Sequence, residues 1–362
     1  MDIRDLFSNL HENPEFSGKE KKTTAILKKY LEENTDLVLK DLGTFFYGIH
    51  DEGAERTIAI RADIDAIHRS NGNAFHGCGH DGHASMAAEA ARLISGKKIG
   101  KNVIFLFQPA EENGEGAKTC FPLFEHENID LILGLHNIPG YPLGEILLTR
   151  GTFADASLGL TLTLNGAQSH AGCPEEGTNP GFAISDLVCK LSAIEKYSIY
   201  EKPVLSTLIC VDVGEPNFGI NAGNGELCLT LRARTTKDLA IFKNTVIEEM
   251  KKSIEKCYSE EQRQNITLET KIQDEFPATE NNPKEAEHIY ETLKSLGFKT
   301  RFLDNPMRWS EDFGNYRSRC KSFFFGLGSG ENHPGLHTEE YVFPTELLEK
   351  GAETWVEIIK AI

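Results

Sequence analysis

Phe75 to Met86, FHGCGHDGHASM, constrains this chain more than any other stretch, because Cys78, His80, Asp81 and His83 fall within six residues and His76 lies beside them. Thiolate, imidazole and carboxylate are the groups that bind borderline-soft divalent metals, so a cluster this dense reads as a bed of ligands. Two other readings compete. The glycines could form a loop whose histidines cap the helix that ASMAAEAARLI begins. Alternatively Cys78 is a nucleophile with a histidine base, which requires an oriented pair that residue order alone does not reveal. A metal would need further ligands, and these must come from distant segments.

At 362 residues the chain is too long for one ordinary core and suits two domains. A composition that is 40% hydrophobic and 26% charged describes a soluble globular protein. Lys plus Arg 38 against Asp plus Glu 55 leaves a net charge of -17, which disfavours nucleic acid and anionic membrane as partners. No apolar run approaches membrane-spanning length, and MDIRDLFSNLHENPEF lacks the basic start and apolar core of a signal peptide, so a cytoplasmic protein is expected. The 8 cysteines are scattered without a CxxC pair, as buried thiols in a reducing compartment are.

Ser17 and Glu20 have the spacing of a capping box, and Ile26, Leu27, Tyr30 and Leu31 continue at helical spacing. TIAIRADID is strand-like and ends in Asp63 and Asp65; the helix after the cluster stops at Ser95-Gly96. NVIFLFQPAEEN is a buried strand running out at Pro109 into Glu111 and Glu112, and LILGLHN delivers His136 in the same way. Strands alternating with helices predict a mostly parallel α/β sheet, with sites beyond the carboxyl ends of its strands. From about Gly151 to Asp274 the order becomes β-α-β-β-α-β, a ferredoxin-like unit able to fold as an insert. The helix PKEAEHIYETLKSLG, the strand SFFFGLGSG, His337 and a last helix from Thr345 then complete the first domain. The expected division is 1–150 and 275–362 for the interrupted first domain and 151–274 for the inserted unit.

Glu111 and Glu112 are adjacent carboxylates, and neighbouring residues leaving a strand point in different directions. One can coordinate metal while the other accepts a proton from water and passes it to a leaving amine. A solvated acidic loop would also account for EENGE. Asp63 and Asp65 could orient ligand histidines or cap the following turn. His136 and His337, each alone in its segment, would be structural histidines but for their convergence on strand ends and loops where a site would lie.

LHENPEFSGKE, RADIDAI, FHGCGHDGHASM, FQPAEENGEGAK, LGLHNIPGYPLGEI, FPATENNP, SEDFGNY and the final GLH resemble successive motifs of the M20 metallopeptidases, over nearly the whole chain and in order. The similarity is to the amidohydrolase branch, which cleaves N-acyl amino acids and includes hippurate, indoleacetyl-amino acid and N-acetyldiaminopimelate hydrolases. The resemblance implies that Cys78, His80, Glu112, His136 and His337 bind two divalent metal ions, that Glu111 is the general base, and that Asp65 orients the metal site. It implies that the insert is a lid, through which a homodimer can form. There His170 would polarise the scissile carbonyl, and Asn221 and Arg232 would serve substrate binding or closure, although Arg232 could equally pair with a nearby carboxylate.

The chain departs from the family pattern in two places. The HRSNGNA segment before the cluster is short and lacks the usual proline, and the lid motif has Pro174-Glu175 and Asn179-Pro180 where PH and DP are usual. These changes leave the metal residues intact and bear on substrate choice. The expected enzyme is a metal-dependent amidohydrolase acting on a small N-acyl amino acid, with zinc, manganese, cobalt or nickel as the metal. A dipeptidase or carboxypeptidase with the same centre is the nearest alternative, and an inactive small-molecule-binding relative is another.

Overall fold

Three runs with apolar residues at consecutive positions, Thr57–Asp63, Asn102–Gln108 and Leu131–Ile138, are strands buried on both faces, as central strands of a covered parallel sheet must be. This computed structural model describes residues 1–362. With Lys321–Gly328 the three strands form the parallel middle of an eight-stranded sheet. Antiparallel pairing is confined to its flanks, where Phe46–His50 joins Asn102–Gln108 and Val38–Asp41, and Ile146–Leu148 joins Lys321–Gly328.

The helix His80–Ile94 is buried along almost its whole length. Its run of alanines, Ala84, Ala87, Ala88, Ala90 and Ala91, lets the backbone come close to the sheet and to the helices Ile3–His11, Lys21–Asn34 and Leu347–Ala361. The sheet and helices therefore carry the metal-type residues of the cluster into the interior. Asp63, Gln108 and His136 lie at the carboxyl ends of adjacent parallel strands, where open α/β sheets place their sites.

The chain divides into two compact units. The first comprises Met1–Phe153, Thr279–Met307 and Glu311–Ile362; the second comprises Ala154–Ala278 with Arg308–Ser310. In the second, the strands Val204–Val213, Asn224–Ala233, Ala156–Asn165 and Thr267–Phe276 stand side by side in that order, all antiparallel. With the helices Gly181–Ile194 and Thr236–Cys257 packed on them through Leu187, Phe242 and Met250, the arrangement is the ferredoxin-like one. No helix is long and apolar enough to cross a membrane.

One local expectation fails. Ser17 and Glu20 do not form a capping box: the helix starts at Lys21, and Glu20 makes no side-chain cap to it. Ser17 Oγ instead donates to Asp65 Oδ2 at 2.7 Å, and Glu20 Oε1 accepts the Ala110 amide at 2.9 Å. Tertiary partners, an acceptor for Ser17 and a donor for Glu20, outcompete the local cap. The short HRSNGNA segment folds as a tight hairpin between Ile67–His68 and Ala74–Phe75, closed by Arg69 and Asn73. His68 stacks on Phe16 at 3.8 Å between ring centroids.

The strand that delivers His136 passes under two aromatic rings at Gly134, where an added Cβ would stand 2.6 Å from Phe324 and 2.8 Å from Phe313. Neither ring can swing away inside a close-packed core. Gly134→Ala is expected to cost about 1–3 kcal/mol of stability by overpacking. Urea unfolding measures this, and an unchanged midpoint would show that the rings are free to move.

Candidate metal centre

Five donor atoms from four chain segments meet in the first unit. Cys78 comes from the loop before the long helix and His80 from its first turn. Glu112 follows the strand Asn102–Gln108, His136 lies near the carboxyl end of the strand Leu131–Ile138, and His337 lies in a C-terminal loop. The Cys78 sulfur is 3.3 Å from His136 Nε2 and 3.3 Å from His337 Nε2. Glu112 Oε1 is 3.7 Å from His80 Nε2 and 3.5 Å from His337 Nε2. The donors fall into two sets that share one sulfur, Cys78 with His80 and His136, and Cys78 with Glu112 and His337; within each set the atoms lie within 4.8 Å of one another.

Two of these donors, His80 Nε2 and Glu112 Oε1, are buried without any hydrogen-bond partner. Orphaned polar atoms are costly in a protein interior and ordinarily absent, so their presence among thiol, imidazole and carboxylate groups fits cations better than it fits a dry core. The layer behind them fixes their orientation. His80 Nδ1 donates to the Asp65 carbonyl at 3.0 Å and lies 3.1 Å from Asp65 Oδ1, and His136 Nδ1 donates to the Asn137 carbonyl at 2.8 Å. In each ring Nε2 is thereby turned toward the donor cluster, the nitrogen that the neutral ring would offer a metal. Asp65 Oδ2 also accepts the Glu112 amide at 3.0 Å.

The sequence model of the peptidase family M20/M25/M40 matches residues 59–361. This chain belongs to the M20 family. It is 27% identical to the hippurate hydrolase of Campylobacter jejuni over 96% of this chain and 93% of that one. It is 26% identical to an uncharacterized hydrolase of Staphylococcus saprophyticus over 97% of this chain and 95% of that one. Among solved structures, a dinuclear metal-binding M20 peptidase from Bacillus subtilis superposes with a TM-score of 0.81 at 21% identity, covering 99% of this chain and 96% of that one. The protein is thus an M20 hydrolase acting on amide bonds.

Around the donors of this M20 enzyme, charge is concentrated. Burial opposes protonation of His80, but Asp63, Asp65 and Glu112 override it and push the imidazole up to about 10, so the pocket draws positive charge to this point. For His136, burial and the neighbouring His83 lower the proton affinity well below the usual imidazole range, which favours the neutral ring that could bind a metal. Burial pushes the Cys78 thiol well above its ordinary range, and Glu112, Glu111, Asp63 and Glu311 push it further. These surroundings disfavour a free thiolate, which weighs against a thiol nucleophile. Glu111 diverges from Glu112: its Oε1 accepts the Asp312 amide at 3.3 Å, and burial, then Glu311, Glu112 and Asp312, raise it well above the usual carboxylate range.

The inserted unit holds the remaining expected residues. His170 is exposed on a short strand and its Nδ1 accepts the Gly172 amide at 2.9 Å. Asn221, paired in register with Ser169, donates to that residue's hydroxyl at 3.0 Å and accepts from Asn179 at 2.9 Å. Arg232 bonds no carboxylate; its guanidinium donates to the Arg308 carbonyl and the Ser310 hydroxyl, each at 2.9 Å.

Sequence reasoning missed the buried groups behind the centre. His83, which belongs to the same short cluster, has its Nδ1 against Asp63 Oδ1 at 2.7 Å and its Nε2 against Asn137 Oδ1 at 2.6 Å, so it supports the strand ends. Arg61 is fully enclosed and donates to Asp63 at 2.6 Å, to Asp312 at 2.8 Å and to Gln108 at 2.8 Å, with Glu311 Oε1 at 2.8 Å. RADID, QPAEE and SEDF each carry part of this network, and the presence of an arginine in a buried strand was the signal available. Replacing Arg61 by Met should destabilise the protein by about 3–5 kcal/mol, because the carboxylates stay buried without their cation. Urea denaturation of the metal-free protein reads this, and a wild-type midpoint would mean the network is dispensable.

Proposed function

We propose that this M20 enzyme is a binuclear-metal amidohydrolase that cleaves the amide bond of an N-acyl amino acid, giving a carboxylate and the free amino acid. The observation that carries the reading is the meeting of five donor atoms in two sets sharing the Cys78 sulfur. Cys78, His80 and His136 would hold one divalent ion, and Cys78, Glu112 and His337 the other, with zinc, manganese, cobalt or nickel suited to such a mixed set. When bound, such ions lower the pKa of water and polarise a carbonyl.

The protein's own residues do the rest. Glu111 is buried beside the donors, close to His80 and Glu112 but outside the two sets that share Cys78, where its carboxylate would take the proton of the attacking water and hand it to the departing amine nitrogen. Its raised proton affinity favours the first of these steps. Asp65 holds His80 in the tautomer and orientation of a ligand. By resemblance, His170 polarises the acyl carbonyl, and Asn221 and Arg232 contact the substrate.

The Campylobacter relative, whose name gives hippurate as substrate, supports an N-acyl amino acid, while the family's peptidase character keeps a dipeptidase or carboxypeptidase as the second reading. An inactive binding protein is disfavoured by Glu111 itself, since a carboxylate buried among like charges is costly and has no evident use outside catalysis.

Glu111→Gln keeps size and shape but removes the proton acceptor. Turnover should drop by about 10²–10⁴-fold while the metal bound per chain, measured by elemental analysis, stays at the wild-type level; full activity in the variant would sink the mechanism. A panel of N-acetyl and N-benzoyl amino acids against dipeptides, run before and after chelation with metal add-back, identifies the substrate class. Hydrolysis of the acyl amino acids that is lost on chelation is expected. Preference for dipeptides would select the second reading, and activity surviving complete metal removal would restore the thiol one.

A further inference from the structure

Glu20 precedes the helix Lys21–Asn34 at the position where a side chain ordinarily caps its own helix, yet it makes no such bond. Its buried carboxylate turns the other way, and Oε1 accepts the backbone amides of Gly18 at 2.8 Å and of Ala110 at 2.9 Å. Ala110 immediately precedes Glu111 and has a φ of 55°, in the left-handed region that an L residue with a Cβ keeps only when its surroundings impose it. Two residues on, the Glu112 amide donates to Asp65 Oδ2 at 3.0 Å, and that same oxygen accepts Ser17 Oγ at 2.7 Å. The peptide carrying Glu111 and Glu112 is thus held at one end directly by Glu20 and at the other by Asp65, which Ser17 of the same turn supports.

We infer that Glu20 is a positioning residue that locks Ala110 in its left-handed conformation and thereby sends the Glu111 and Glu112 side chains in different directions. The inference rests on reading those two residues as proton acceptor and ligand. Without the Glu20 acceptor the Ala110 amide is a buried donor with no partner, and nothing opposes its return to negative φ. Such a rotation re-aims every side chain that follows it, so Glu112 leaves the donor set and Glu111 leaves the Asp312 amide together.

Four proteins test this: wild type, Glu20→Ala, Glu20→Gln, and Glu20→Ala combined with Ala110→Gly. Amide hydrogen exchange across residues 108–116 is compared in the metal-free state, zinc affinity by competition with a chromophoric chelator, and kcat and KM on the best acyl amino acid. Glu20→Ala is expected to lose exchange protection over the segment and about 10–100-fold in zinc affinity and in kcat, with KM little changed. Glu20→Gln, which keeps an acceptor oxygen, should behave nearly as wild type. Adding glycine at 110 should recover part of the affinity and kcat, because glycine enters the left-handed region without strain. Unchanged exchange and affinity in Glu20→Ala would overturn the inference. So would a loss that Glu20→Gln shares and glycine does not relieve, which is the pattern of general destabilisation. If wild type binds no zinc, the function reading fails, while the exchange comparison in metal-free protein still decides whether Glu20 holds the turn.

Discussion

The centre depends on a single buried guanidinium. Asp63, Glu111, Glu311 and Asp312 all lie in the interior near the ends of the parallel strands, and like charges in a low dielectric repel strongly. Arg61, enclosed among them and donating also to Gln108, offsets that repulsion. Its fork of donors is fixed and planar, so it also sets where the carboxylates stand. Asp312 in turn accepts the Gln108 amide and the Ala117 backbone amide, which ties the strand Asn102–Gln108 to the turn Asp312–Ser318. A cation pair at the donor atoms would be the counterpart of Arg61 on the other side of the same negative layer.

Backbone strain is stored at the same place. Ala110 and His337, two of the three non-glycine residues with positive φ, flank the donor cluster from distant parts of the chain. His337 is held by its amide donating to the Gly77 carbonyl at 2.8 Å, next to Cys78, so the two candidate ligands are tied through backbone as well as through their side chains. Gly79 occupies the left-handed region at the start of the long helix, where a Cβ would meet Asn137 Oδ1 at 2.6 Å and the Tyr341 hydroxyl at 2.8 Å. These conformations persist because the surrounding hydrogen bonds over-determine them, and each aims a side chain that an ordinary strand or helix end would not.

Much of this was legible in the residue order. Consecutive apolar residues in NVIFLF and LILGL identify strands buried on both faces, and the β-α-β-β-α-β rhythm identifies the inserted sheet, because periodicity is a local property. Cys78, His80, Glu112, His136 and His337 stand out by chemical type and by their place at strand ends. The roles of Ser17 and Glu20 were not legible: their spacing fits a local cap, and only the packing of that turn against Asp65 and Ala110 gave them better partners. His83 and His80 look alike in CGHDGH, yet His83 spends both nitrogens on Asp63 and Asn137 while His80 keeps one unpartnered.

From its sequence alone this chain determines which elements form, which donor types it owns and which family it resembles, since those follow from side-chain chemistry and short-range spacing. The tertiary structure decides which carboxylate joins the Cys78 sulfur and which meets the Asp312 amide, which histidine keeps an unpartnered nitrogen, and where the buried carboxylates find Arg61. Those outcomes hinge on distances between residues hundreds of positions apart, such as Arg61 and Asp312 or Cys78 and His337, and no local pattern encodes them.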